Sequence, residues 1–300
     1  MKKSQVTRCF TDILLFEASQ VILVLAAKGV DELLLRQQGV LFRLCDSGVA
    51  SIVAGLAAIC FLVLRLHPED RKLLRQHKRK MQTGELTGIA SVFCIIQLSY
   101  APLVSVFETV LKHFGWSAMP QVPQEIAPLL LLYTCTLAPV VEELFFRGAA
   151  LRLQSKGKAV AIAVTSMLFG LAHGTLYQAV YAGFCGLILG WIAVEYSLKW
   201  SIVFHVFNNA VLGCALPVLL MPETWGTVLY VGIFAAALLL SGRWLVPRRS
   251  RIRTALHSCM DWQRWKRAGK RVVPALLRHR ALMALLIWNA LLIATSFTRL

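Results

Sequence analysis

Two adjacent carboxylates and an arginine interrupt an apolar run in Pro139-Val140-Val141-Glu142-Glu143-Leu144-Phe145-Phe146-Arg147-Gly148. Ionisable side chains are costly inside a stretch long enough to span a bilayer, and such groups mark a functional site by default. At 100° per residue, Glu143 and Arg147 lie one turn apart on one face, which suits an internal ion pair; Glu142 is rotated away from it. The stretch therefore offers one neutralised carboxylate and one free one. Two later stretches carry polar groups at helical spacing. Phe169 and His173 share a face in Ser166-Met167-Leu168-Phe169-Gly170-Leu171-Ala172-His173-Gly174, where small residues allow close helix contact. His205 and Asn209 share a face in Ser201-Ile202-Val203-Phe204-His205-Val206-Phe207-Asn208-Asn209. A glutamate can take a proton from water, imidazoles can hold that water or a metal ion, and an amide can donate to an oxyanion. A lone histidine suits a satisfied core position, but this conjunction points to hydrolysis.

The elements that must position these groups are membrane helices. The chain of 300 residues is 57% hydrophobic and only 16% charged, which excludes an ordinary soluble domain. The expected fold is an all-α, polytopic transmembrane bundle of eight or nine spans. Apolar runs appear at 10–27, 49–66, 86–111, 127–153, 159–177, 178–197, 200–221, 227–244 and 281–297. The first is interrupted by Glu17 and Gln20 and could instead lie in the interface. Three parts of one integrated membrane domain are expected: N-terminal spans with a basic loop (1–126), core helices (127–221) and C-terminal spans with a basic segment (222–300). The segment 247–280 reads equally as an amphipathic helix on anionic lipid or as a solvated basic loop.

The net charge of +17 is the positive-inside bias rather than a nucleic-acid footprint. With the N-terminus in the cytoplasm, alternation of the spans puts all 32 basic residues but Lys28, Arg36, Arg43, Lys112 and Arg299 on one side. The carboxylate pair then falls toward the cytoplasmic end of its helix. Eight scattered cysteines include no Cys-x-x-Cys and read as small core residues. A retained first span is expected rather than a cleaved signal peptide. Rival chemistries lack parts: there is no His-Glu-x-x-His, none of the five aspartates lies deep in a span, and Gly115-Trp116-Ser117 has no histidine partner. Glu17, Glu108, Glu195 and Asn289 read as structural groups.

The three motifs, Glu-Glu-x-x-x-Arg at 142–147, Phe-x-x-x-His at 169–173 and His-x-x-x-Asn at 205–209, carry a resemblance. Over 127–219 the chain resembles the CPBP family of intramembrane proteases, also called Abi, which includes type II CaaX prenyl endopeptidases and lysostaphin-resistance-like proteins. The resemblance implies an intramembrane endopeptidase in which Glu142 activates water, Glu143 is its partner and Arg147 the structural counter-ion. His173 and His205 would position that water or a divalent metal, Asn209 would stabilise the tetrahedral intermediate, and Phe169 would support the packing beside His173. A Zn²⁺ site would draw on Glu142, His173 and His205; a metal-free glutamate mechanism uses the same groups around a water. The implied partners are a peptide or protein substrate in or beside the bilayer, and lipid, in a bacterial-type plasma membrane. The residues leave two alternatives: a non-catalytic scaffold of the same fold, and a proton-relaying transporter, for which no inverted repeat is visible.

Overall fold

A computed structural model describes residues 3–34, 48–119, 127–221, 223–250 and 277–300, with Arg253, Thr254 and Pro274 between the last two segments. Most of the basic segment 247–280 lies outside the described residues. The chain is helical: α1 (Lys3–Leu34), α2 (Val49–Arg65), the short α3 (Pro68–Leu74), α4 (Thr83–His113), α5 (Pro128–Leu153), α6 (Lys158–Leu171), α7 (Leu176–Glu195), α8 (Leu198–Leu220), α9 (Glu223–Leu245) and α10 (Arg280–Thr295). Two two-residue strands, β1 (Trp116–Ser117) and β2 (Thr298–Arg299), pair antiparallel and tie the end of α4 to the end of α10. Ser117, read against a protease fragment above, donates instead to Glu108, which also accepts from Tyr177 and from the Ala118 amide.

The all-α membrane fold holds, but the number of full-length spans is smaller than the apolar runs suggest. Among the described residues, five helices are long and apolar enough to cross a bilayer: α4, α5, α7, α8 and the stretch Trp225–Arg248. α2, α6 and α10 are apolar but shorter. The clearest correction falls on the run 159–177. Its helix stops at Leu171 because Gly174 takes a left-handed conformation (φ +72°), which glycine adopts without a Cβ penalty, and Thr175 caps the next helix by accepting from the Gln178 amide. The apolar pattern continues through this turn, so hydropathy alone does not register it.

Helices α5 and α8 are not uniform. Wider π-helical turns occupy Tyr133–Leu137 and Phe207–Ala215, each followed two residues later by a proline, Pro139 or Pro217. Proline lacks an N–H and its ring presses on the carbonyl four residues back, so local widening relieves both conflicts. A third such turn, Glu143–Arg147, has no proline and coincides with the charged residues.

Two apolar cores flank α5 and α8. One gathers Phe10, Ile13 and Phe16 of α1, Leu62 of α2, Val141 and Phe145 of α5, Leu168 of α6 and Leu285 of α10. Phe16 stacks on Phe145 with ring centroids 4.6 Å apart, so α1 is packed into the bundle rather than lying apart from it. The other joins α4, α7 and α8 through Ile89, Phe93, Leu189, Ile192 and Phe204. Outward faces remain apolar, as on α4, where Leu103, Val106, Phe107 and Val110 are all exposed; such a belt suits hydrocarbon rather than water.

Most of the ion pairs among the described residues gather at one end of the bundle. Asp12 pairs with Arg65 at 2.8 Å and with Arg152 at 3.0 Å; Lys158 pairs with Glu195 at 2.8 Å; Lys78 donates to Gln154; Arg79 contacts Glu85 and Tyr196. The loops after α2, α5, α7 and α9 therefore meet on one face, opposite β1 and β2.

Candidate active site

The α5 backbone carries Glu142 and Glu143 into different surroundings. Glu143 is fully buried and Arg147, also fully buried, brings Nε to 3.2 Å from Glu143 Oε2. The guanidinium lies 4.3 Å from the centre of the Phe169 ring, whose face accepts the cation. Ser201 donates to Glu143 Oε2, and His205 Nδ1 stands 3.0 Å from Glu143 Oε1. An ionised carboxylate only accepts, so Nδ1 of His205 carries a proton, and in the neutral ring Nε2 keeps its lone pair. That Nε2 lies 3.6 Å from Oε2 of Glu142, whose side chain retains 24% exposure. The gap is long for a direct hydrogen bond and is of the size that one water bridges.

His173 reaches the same region by a different route. It sits in the turn after α6, not on the helix itself, so the expectation that it shares a helical face with Phe169 is replaced by a tighter constraint. His173 Nδ1 lies 2.8 Å from the Phe169 carbonyl. A carbonyl cannot donate, so this bond fixes the Nδ1–H form and again leaves Nε2 as an acceptor. The Phe169 ring packs edge-on against both imidazoles, with centroids 4.9 Å from His173 and 5.5 Å from His205.

What presses Phe169 into place is the close crossing of α6 and α7. A Cβ on Gly170 would stand 2.4 Å from the Ala179 carbonyl oxygen, so only glycine fits there; one on Gly186 would stand 3.1 Å from the Phe169 ring.

Glu142, His173, Phe169 and Phe146 line a cavity of about 200 Å³, with Tyr133 of α5 and residues of α1 and α10 forming its remaining walls. Glu142 precedes the end of α5 by eleven residues, so at 1.5 Å per residue the cavity lies about 16 Å in from the charged end.

Six of the seven site residues expected from sequence thus come together: Glu142, Glu143, Arg147, Phe169, His173 and His205. Asn209 is hydrogen-bonded to other groups. Its Nδ2 donates to the Thr134 carbonyl at 3.0 Å and its Oδ1 accepts from Asn208, and no hydrogen bond joins it to Glu142 or to either imidazole among the described residues. The π turn beginning at Phe207 rotates Asn209 relative to His205, so the regular four-residue spacing does not hold across it. Asn208 is the buried one of the pair and accepts from Tyr181 at 2.9 Å.

Sequence reasoning missed Ser201. It lies one turn before His205 on α8, and that spacing is the signal that would have found it.

Among the described residues, no three His, Cys, Asp or Glu side chains stand close enough together to hold an ion, so Glu142, His173 and His205 as arranged do not form a three-ligand cage.

Residues 124–211 match the family model of type II CAAX prenyl endopeptidase Rce1-like proteins. This stretch is Rce1-like. The matched segment takes in α5, α6, α7 and the first part of α8, and so contains Glu142, Glu143, Arg147, Phe169, His173, Ser201, His205 and Asn209 but not the cavity walls supplied by α1 and α10. No curated protein and no solved structure matches the chain. The helices α1, α2, α4, α9 and α10 lie outside the Rce1-like segment.

Proposed function

We propose that the chain is an integral-membrane endopeptidase of CAAX type that hydrolyses a peptide bond inside the bilayer with glutamate-activated water. The observation that carries the reading is the 3.6 Å gap between Glu142 Oε2 and His205 Nε2, with Glu142 lining a cavity between the helices. A bridging water there gives one proton to Glu142 and points the other at the His205 lone pair, which leaves its oxygen free to attack a carbonyl carbon. Glu142 accepts that proton as the C–O bond forms and returns it to the amide nitrogen as the C–N bond breaks. The products are a carboxylate and an amine.

The surrounding groups act through orientation. Glu143 holds His205 by Nδ1, Ser201 and Arg147 hold Glu143, and the Phe169 carbonyl holds His173. His173 Nε2 offers a second acceptor on the cavity wall, and Asn209 keeps one amide proton beyond its bond to Thr134 for the oxyanion. The helix layers around the cavity keep lipid out, and unpaired substrate backbone is tolerated in hydrocarbon only in such an interior.

The basic loops gathered at one end are assigned to the cytoplasm by the positive-inside rule, with the N-terminus on that side. The spans number eight or nine when α1 and the shorter apolar helices are counted, and the parts 1–126, 127–221 and 222–300 act as one membrane domain. A plasma membrane of bacterial type is the assigned location. A prenylated C-terminal motif is the substrate class that the matched family suggests.

The test uses purified full-length protein in lipid nanodiscs with two sets of quenched fluorogenic peptides, one ending in an S-farnesylated Cys-aliphatic-aliphatic-Met motif and one unmodified. Cleavage of the farnesylated set that disappears in Glu142→Ala is expected. A folded, monodisperse protein that cleaves neither set overturns the proposal and favours a scaffold.

A further inference from the structure

The wall of the cavity opposite Glu142 is built by residues outside the matched segment. Glu17 and Gln20 of α1 line it, and Trp288 of α10 brings Asn289 beside Glu17. Asn289 is fully buried; its Nδ2 donates to Glu17 Oε2 at 2.8 Å and to the Leu285 carbonyl at 2.9 Å. Both partners are acceptors, so the amide orientation is fixed and Asn289 Oδ1 points elsewhere. Glu17 is 7% exposed. Yet Glu17 Oε1, Gln20 Nε2 and Asn289 Oδ1 are all buried without a hydrogen-bond partner among the described residues.

A single orphan polar atom in an apolar interior is already costly, and three in one cluster, on Glu17 and Gln20 of the cavity wall and on Asn289 bonded behind Glu17, need an explanation. Helix adhesion does not supply it, because the Glu17–Asn289 bond already joins α1 to α10 and leaves these three atoms over. What they offer is one amide donor and two acceptors, three residues apart on one face of α1 and across on α10. An extended peptide residue presents its own N–H and C=O toward the same side, one donor and one acceptor, which is the complementary set.

We infer that Glu17, Gln20 and Asn289 form a backbone-binding subsite that holds the substrate peptide in extended form across the cavity from Glu142. Glu17 Oε1 accepts a substrate N–H and Gln20 Nε2 donates to a substrate carbonyl; Asn289 fixes the Glu17 carboxylate. These are positioning residues, and the inference rests on the hydrolytic reading for what is held. It ties the N-terminal and C-terminal helices, which the family match leaves unassigned, to recognition of peptide backbone rather than of a particular side chain.

Binding and cleavage separate the two claims. A fluorescein-labelled, S-farnesylated decapeptide is titrated against the full chain carrying Glu142→Gln in nanodiscs, so that the probe stays intact, with and without Glu17→Gln or Gln20→Leu. Polarisation should show Kd raised at least about tenfold by Glu17→Gln and severalfold by Gln20→Leu. With Glu142 restored, the same substitutions should raise KM while leaving kcat within about twofold. A purely structural role would instead lower the thermal midpoint without moving Kd. If Glu17→Gln does not accumulate, Gln20→Leu decides alone, since its Nε2 has no bond to lose among the described residues. Affinities within twofold of the parent in the accumulating variants, or no peptide binding at all, overturn the inference. Weakened binding without cleavage by any form supports the subsite and sinks the hydrolytic reading; cleavage that needs Glu142 with unchanged Kd does the reverse.

Discussion

Removing the charge of Arg147 while keeping its bulk, as in Arg147→Met, should destabilise the protein through one carboxylate. Both members of the pair are 0% exposed, so neither can turn to water when the other is lost. Breaking a buried pair from one side costs about 3–5 kcal/mol. Glu143 keeps its contacts to Ser201 and His205, which places the expected loss near the low end, about 3 kcal/mol. At roughly 2–4 °C per kcal/mol, that lowers the thermal midpoint by on the order of 10 °C. The double variant Glu143→Gln/Arg147→Met removes both charges and should recover most of this, to within about 1 kcal/mol of the parent. Intrinsic tryptophan fluorescence on heating, in nanodiscs, reads all of these forms. The double variant should nevertheless stay slow, because a neutral amide in place of the Glu143 carboxylate cannot hold His205 and Ser201 as a charged acceptor does. A midpoint for Arg147→Met within 2 °C of the parent would refute the buried-pair reasoning, as would a double variant less stable than the single.

Gly170→Val should reduce folded yield sharply, because its Cβ already meets the Ala179 carbonyl at 2.4 Å and overpacking costs about 1–3 kcal/mol or more; detergent-extracted, monodisperse protein measures it. Ser201→Ala removes one of the donors to Glu143 and should cut kcat about tenfold with KM unchanged, read by initial rates. Copper–phenanthroline oxidation should join Cys135 to Cys214, whose sulfurs stand 3.1 Å apart between the two proline-linked π turns, with loss of two titratable thiols; unreacted thiols would contradict the α5–α8 packing. Activity should survive dialysis against EDTA, since the site's donors do not converge in threes among the described residues; loss that Zn²⁺ alone restores would reverse that expectation.

Much of the site was legible because its signal is chemical. A charged triplet in an oily helix and two polar pairs at four-residue spacing name Glu142, Glu143, Arg147, His173 and His205 without any coordinates. Geometry that depends on departures from the ideal helix was not legible. A period of 3.6 places His173 on α6 and Asn209 beside His205, whereas Gly174 ends the first helix early and a π turn rotates the second. The run 159–177 is broken for a related reason: hydropathy runs through the His173–Thr175 turn as smoothly as through a helix. Glu17 and Asn289 read as isolated polar residues far apart in sequence. Their bond across 272 positions, and the cavity that Glu17 shares with Glu142, exist only after α1 and α10 pack together.

The most direct test of the account is the cleavage rate of Glu142→Gln against the parent on the farnesylated peptide, with thermal midpoints measured on the same samples. Glutamine keeps the shape and loses only the ability to take a proton, so kcat should fall by at least about 10²-fold while the midpoint stays put. Cleavage within twofold of the parent would mean that water is activated elsewhere, and the proposed mechanism would be wrong.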